Sequence, residues 1–315
     1  MVPRTLAPKL LALARKFPVV TVTGPRQAGK TTLCRAVFPA KRYVSLEAPD
    51  TREYALRDPR GFLSEHAEGA ILDEVQRAPA LLSYLQVEVD ARPARGRFVL
   101  TGSANLALLQ SVSQSLAGRT AQLLNLSALA ADGGITHGTA RAWLSVLEAS
   151  FVAFRLPPFH SNVSKRLVKT PKLHFYDTGL VSYLLGIRSP EELRAHPLRG
   201  AIFESWVVSE IVKARVHRGL PPNLFFFRDR KGVELDGVLE CGEQLVAVET
   251  KSGQTVAEDF FDAFASFDRL VAAGRRARRL RRVLVYGGDE RHKRTRTDVI
   301  PWSTIDRYEW AADAS

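Results

Sequence analysis

The stretch VVTVTGPRQAGKTTL, residues 19–33, narrows the fold more than anything else in the chain. Its apolar, β-branched opening predicts a buried strand, its glycines a loop, and the residues from Lys30 onward a helix. Gly24, Gly29, Lys30 and Thr31 stand at the four fixed positions of G-x-x-x-x-G-K-[ST]. Glycine at both ends lets backbone N–H groups turn inward around phosphate oxygens, and Lys30 adds a cation. The Thr31 hydroxyl can sit on magnesium, with Thr32 beside it at the helix start. The helix N-terminus itself attracts anions.

A second element stands where that chemistry needs it. AILDEV, residues 70–75, reads as a short apolar strand ending in two acids. Asp73 suits a magnesium ion held through water, and Glu74 suits polarising the water that attacks a γ-phosphate. Two acids can also simply cap a strand and face solvent, but a phosphate loop upstream at this spacing favours the nucleotide reading. RFVLTGSAN, residues 97–105, is another buried-type strand that closes in small polar residues. Ser103 or Asn105 would orient the lytic water or sense the γ-phosphate, although turn chemistry accounts for them nearly as well. Strands near Val19, Tyr43, Ala70 and Phe98, separated by helical stretches, predict a parallel α/β sheet with nucleotide at its C-terminal edge.

Taken in this order, VTGPRQAGKTTL, ILDEVQRAP, VLTGSAN and SLAGR resemble the AAA-type ATPases of bacteria and archaea that carry a C-terminal domain of unknown function. The resemblance implies ATP and Mg2+ as cofactors, with nucleotide chemistry on Lys30, Asp73, Glu74 and Ser103 or Asn105. Arg119 matches the arginine of the LAGR element, where a γ-phosphate or subunit-interface role competes with that of a surface arginine at a helix end. Self-association through the ATPase domain is therefore an open expectation.

With 315 residues, 45% of them hydrophobic, the chain can bury more than one core, so two or three domains are expected. The formal net charge of +12 favours an anionic partner, for which DNA is the expectation. Part of the excess lies in RRARRLRR, residues 275–282, which suits a solvated helix face about as well as a dedicated phosphate contact. Two cysteines, Cys34 and Cys241, make neither a disulfide framework nor a zinc site, which fits a reducing cytoplasm. No segment is long and apolar enough to span a bilayer, and the opening MVPRTLAPKLLALARKF reads as a helix beside the first strand.

In the middle, LSALAADGGITHGTARAWLSVLEASFVAFRLPPF predicts a short helix ending at Gly133 and Gly134 and a second beginning at Thr136. Ser127 and Thr136 are good N-caps, and Ala140, Trp143, Leu144 and Leu147 recur at core-facing helical spacing. A helix-turn-helix of this kind would turn Thr136, His137, Thr139 and Arg141 toward a major groove, with FVAFRLPPF opening a β-wing. A helical lid that touches no DNA fits the same residues equally well. The resembled family has a winged-helix segment of this appearance. KLHFYDTGLVSYLLGI closes the segment, with Asp177 capping the helix that follows.

The last part opens with an amphipathic helix carrying Glu204 and continues in the strand-like runs NLFFFRDR, GVELDGVLE and QLVAVETKSG. Turns at Lys231-Gly232 and Cys241-Gly242 make them a meander. Glu249 and Lys251, two apart on a strand, share one face while Thr250 points the other way. Glu204, Asp236, Glu249 and Lys251 together are the equipment for magnesium-dependent phosphodiester hydrolysis. Asp236 and Glu249 would hold the metal, Glu204 would support it, and Lys251 would position the nucleophile. The pattern is similar to the PD-(D/E)xK nucleases. An inactive nuclease-like module held together by a Glu249–Lys251 pair is the alternative. Gly237 and Thr250, where aliphatic residues would be expected, weaken the match slightly.

The fold expected is thus a P-loop NTPase parallel sheet over residues 1–120, a winged-helix-like segment over 121–190, and a restriction-endonuclease-like α/β domain over 191–315. One departure stands out. In the resembled family a long segment, completing the ATPase sheet and supplying its lid, separates LAGR from QLLNLS, whereas here Arg119 leads almost directly into Gln122. A sheet edge left open is the expected consequence, unless AQLLNLS takes the missing strand's place.

Overall fold

The computed structural model describes residues 4–25, 27–102, 118–132, 134–159, 170–229, 232–272, 278–294 and 296–310. The chain divides into two compact units, the first formed mainly by Met1–Ala107 and the second by most of the remainder.

In the first unit, β1 (Val19–Thr23), β2 (Arg42–Ser45), β3 (Ala70–Asp73) and β4 (Phe98–Gly102) form one sheet in the order β1-β4-β3-β2. All of its pairings are parallel, as the strand–helix alternation of the sequence requires. Its central strands are apolar on both faces, so neighbouring residues feed different cores. Leu72 and Leu100 pack with Phe62, Leu81 and Leu85, whereas Ile71 and Val99 pack with Leu10, Val22 and Cys34. Gly69, just before β3, has φ of 93°, and a Cβ there would stand 1.9 Å from the Arg97 carbonyl oxygen. Only glycine lets the two strands enter the sheet side by side at that point.

β1 lies at the end of this sheet among the described residues, and its Thr21 and Thr23 are exposed. Among the described residues no strand pairs with β1 on its outer side. AQLLNLS does not close it: Gln122–Leu123 forms β5, which pairs antiparallel with β7 (Lys172–Phe175) in the second unit.

The second unit holds most of residues 121–190 and most of residues 191–315. β5, β7 and β6 (Ala153–Leu156) make a small antiparallel sheet beside helices Leu126–Asp132 and His137–Ala149. Ala140, Leu144 and Leu147 are buried in its core, with Trp143 packed at the margin. Thr136 caps the second helix by accepting a hydrogen bond from the Thr139 N–H at 3.1 Å. The first helix is capped by Asn125, which accepts from Ala128 N–H at 3.0 Å, and not by Ser127, which lies inside the helix. Asp177 caps helix Thr178–Leu184 as expected.

The larger sheet runs β12-β13-β11-β10-β9-β8. β8 (Leu224–Arg228), β9 (Glu234–Cys241) and β10 (Gln244–Lys251) form the expected meander, with Gly232 and Gly242 at positive φ. β10, β11 (Arg279–Tyr286) and β13 (Thr297–Pro301) are mutually parallel, and β12 (His292–Arg294) is an edge strand. Helix Arg199–Val216 packs Val207, Val208, Ile211 and Val212 on one face, against Val246, Val248, Val283 and Val285. Helix Asp262–Ala272 packs Phe264 and Phe267 on the other, against Leu235, Val238 and Ala247.

Two expectations are corrected here. The arginine-rich run is not a helix face where described: Arg279–Arg282 open β11, with Arg281 paired to Asp298 and Arg282 to Asp268. The alternation RLRRVLVY suits a strand whose apolar half enters the core. Gly237 does not occupy space meant for an aliphatic residue, since a Cβ there would already lie 3.2 Å from Val248 Cβ.

Candidate functional site

The phosphate loop joins β1 to helix Lys30–Val37. Gly29 stands immediately before the helix at φ 76°, a left-handed conformation that favours glycine. The first helical N–H groups therefore lack intrahelical partners at the loop, the usual basis of an anion site. Lys30 Nζ donates to the carbonyl oxygens of Gly24 at 3.1 Å and Pro25 at 2.7 Å, so its ammonium is held inside the loop. Burial lowers its pKa from the ordinary lysine value, with Glu74 and Asp73 acting the other way.

Asp73, nearly buried at the end of β3, is the centre of this site. Its Oδ1 accepts from the Thr31 hydroxyl at 2.9 Å and from the Thr101 hydroxyl, and its Oδ2 accepts from the Tyr43 hydroxyl at 2.8 Å. Parallel register brings these groups together, because Ser45 lies opposite Asp73 and Leu72 opposite Leu100 across adjacent strands. Glu74 follows with φ 57° and ψ 47°, and its N–H donates to Thr101 Oγ1 at 3.3 Å. A left-handed glutamate is an uncommon conformation of the kind that collects at functional sites. The Thr31 and Asp73 oxygens lie side by side and both suit a small oxygen-preferring cation, so the residues present fit Mg2+.

The structure therefore brings together Gly24, Gly29, Lys30, Thr31, Asp73 and Glu74, with Thr32 exposed at the helix start. Ser103 and Asn105 lie outside the described residues. Arg119 belongs to the second unit, where it pairs with Asp132. Sequence reasoning missed Tyr43, Thr101 and Arg4. Arg4 Nη2 donates to the Ala28 carbonyl at 3.3 Å, placing a guanidinium beside the glycine turn. A polar residue in an otherwise apolar β4 was a visible sign of Thr101, whereas nothing marked Arg4.

The second cluster is built on the larger sheet. Glu204 comes from helix Arg199–Val216, Glu234 and Asp236 share one face of β9, and all three offer oxygens within 4.8 Å of one another. Among them lies Lys172 Nζ, from β7, at 2.7 Å from Glu204, in contact with Glu234, and 3.9 Å from Asp236. The lysine side chain is only 2% exposed. Burial works against its charge, but Glu204, Asp236 and Glu234 outweigh burial and hold its pKa above the ordinary lysine range. Glu234 is also paired to Arg228 at 3.3 Å.

Glu249 and Lys251 do share a face, joined at 2.8 Å. The second Glu249 oxygen, Oε2, is buried without a hydrogen-bond partner. Burial and the nearby Asp236 push the Glu249 carboxyl up to about 8. Thr250 does not fill an aliphatic place: its N–H and hydroxyl both donate to Asp236 Oδ2, at 2.8 and 2.7 Å. The expected Glu204, Asp236, Glu249 and Lys251 are thus neighbours, and sequence reasoning missed Lys172 and Glu234. Lys172 opens β7, KLHF, whose four residues are all buried.

One match to a known family covers the stretch that carries the first of these sites. Residues 16–130 match the family described as AAA domain, which spans the loop, both acids and the polar strand end. The chain carries an AAA domain. Residues 199–305 match a domain of unknown function, DUF4143, and residues 95–191 match another, DUF8612. The AAA domain makes the first unit a nucleotide-binding ATPase fold, followed by further α/β structure. Similar whole chains are the uncharacterized proteins Rv2008c of Mycobacterium tuberculosis and Mb2031c of Mycobacterium bovis. Each is 29% identical over 333 residues, covering 80% of this chain and 74% of its own. That alignment is longer than the present chain yet uses only part of it, so the relatives carry residues with no counterpart here. The structure of C. elegans PCH-2 aligns at a TM-score of 0.22 and 15% identity, over 64% of this chain and 59% of its own. No helix among the described residues is long and apolar enough to cross a membrane.

Proposed function

We propose that the protein is a Mg2+-dependent ATPase that works at the Gly24–Thr31 loop, with Asp73 and Glu74 as its strand-end acids. The observation that carries the reading is the Thr31–Asp73 contact, which joins the loop hydroxyl to the strand carboxylate at 2.9 Å. Thr31 and Asp73 would hold Mg2+ there, and the ion would supply positive charge against the phosphates. Lys30 exchanges its two loop carbonyls for phosphate oxygens, and the helix N–H groups bind the anion. Tyr43 and Thr101 keep the Asp73 carboxylate turned toward Thr31. Glu74, placed beyond Asp73 by its left-handed backbone, polarises the attacking water. Arg4 adds a second cation beside the loop.

A thermal-shift titration with Mg-ATP, followed by turnover, tests this. Wild type and Glu74→Gln should both be stabilised by Mg-ATP, Lys30→Ala should not, and Glu74→Gln should turn over more slowly than wild type. Stabilisation of Lys30→Ala equal to that of wild type removes the reading.

A polyanion such as DNA is the partner favoured by a second observation. A cleft of about 460 Å³ at the β12 edge is lined by Arg281, Arg282, Arg291, Lys293, Arg294 and Arg296. Arg291, Lys293, Arg294 and Arg296 are exposed there. These charges also protect the open edge from strand pairing. Binding of duplex DNA, followed by anisotropy across salt concentrations, should weaken in Lys293→Glu/Arg296→Glu with a shallower salt dependence. Unchanged affinity and slope would remove this cleft from the reading.

A further inference from the structure

The carboxylates of the larger sheet look, from their residue types, like a place for a divalent metal. Glu204, Glu234 and Asp236 converge within 4.8 Å, and the buried Glu249 Oε2 close to Asp236 makes no hydrogen bond. A cation is needed in such a group, because several buried carboxylates without one repel each other and lose their hydration. The fold supplies that cation itself. Lys172 reaches in from β7, and its ammonium meets Glu204, Glu234 and Asp236 together.

Its position is fixed by the backbone on both sides of β7. Leu123 of β5 and Leu156 of β6 are both register partners of Lys172, so the lysine lies in the middle strand of the small sheet. It also stands over the Phe226 ring at 5.6 Å, closing off the apolar side. A magnesium ion needs near-octahedral oxygen geometry and usually keeps several waters. The cluster instead offers its oxygens to a nearly water-free ammonium, and Asp236 Oδ2 is already committed to Thr250. The residues present therefore do not fit a divalent ion while Lys172 is seated.

We infer that Lys172 is the resident cation of this cluster and holds the place a divalent metal would otherwise take, so that the C-terminal domain as folded is not a metal-dependent phosphodiesterase. The cluster's work is to anchor β7, with the small sheet that carries it, to the carboxylates of β9 and helix Arg199–Val216. Whatever withdraws Lys172 would convert the same residues into a divalent-cation site.

Mn2+, as a paramagnetic stand-in for Mg2+, tests this directly in the nucleotide-free 315-residue chain. Free Mn2+ is measured by electron paramagnetic resonance during titration of wild type, Asp236→Asn, Lys172→Met and Lys172→Met/Asp236→Asn. Wild type and Asp236→Asn should give the same curve. Lys172→Met should gain one saturable Mn2+ per chain, and the double variant should lose it. A saturable Mn2+ in wild type that disappears in Asp236→Asn overturns the inference, as does a folded Lys172→Met that takes up no extra ion. If Lys172→Met does not fold, the wild-type and Asp236→Asn curves decide alone: coincidence supports the resident lysine and divergence overturns it.

Discussion

Asp73 in the first unit and Asp236 in the second are both strand carboxylates set among polar groups, but their neighbours differ in charge. Asp73 is hydrogen-bonded by three neutral hydroxyls, from Thr31, Tyr43 and Thr101. Those bonds orient the carboxylate without cancelling its charge, and Lys30 spends its own hydrogen bonds on loop carbonyls. Asp236 accepts from Thr250 and shares with Glu204 and Glu234 a lysine that is almost fully buried. A ring of hydroxyls leaves an anion able to receive a cation from outside, whereas a buried ammonium satisfies the anion in advance. Acidic residues at plausible spacing therefore do not identify a metal site until their counter-charge is known.

The sharpest way to break this contrast is to remove the ammonium. Lys172→Met leaves buried carboxylates unpaired and should cost about 3–5 kcal/mol in chemical denaturation. A cost near zero would mean that water reaches the cluster and that the lysine is not its counter-ion. In the first unit no single partner matters as much. Thr101→Val removes one of the three hydroxyl hydrogen bonds to Asp73, together with the acceptor of the Glu74 N–H, so a loss of about 1.5–3 kcal/mol is expected. An equal loss at the two positions would erase the distinction between them.

A subtler effect follows from Glu249. Its carboxyl stays protonated up to about 8 in the folded chain and ionises in the ordinary carboxylate range once unfolded. The folded state thus holds the extra proton, so this group's stabilisation is complete below the ordinary range and is lost as pH rises toward about 8. Melting temperature should fall across that window in wild type, and Glu249→Gln should flatten the fall. A steeper fall in Glu249→Gln would reverse the assignment.

Much of the first unit was legible because parallel strands and phosphate loops leave strong local signals. The G-x-x-x-x-G-K-T spacing, the two acids after AIL, and four separated apolar runs determine the loop, Asp73 and the sheet direction. Tyr43 and Thr101 were not legible as Asp73 partners, since their meeting depends on register between strands far apart in sequence. The second unit was legible in its helix, its meander and the Glu249–Lys251 face, all set by periodicities of a few residues. Lys172 was not, because its partners lie 32 to 64 residues away on other elements and only the tertiary fold brings them to it. Arg279–Arg282 mislead for a related reason: a run of charge looks solvated, yet Asp268 and Asp298 pair with two of its members inside a strand.

The most direct test of the contrast is a count of tightly held Mn2+ in wild-type protein with and without ATP. The account predicts one ion per chain when ATP is present, lost in Asp73→Asn and retained in Asp236→Asn. An ion that is held without ATP and lost in Asp236→Asn, or an ATP-dependent ion indifferent to Asp73→Asn, would contradict it.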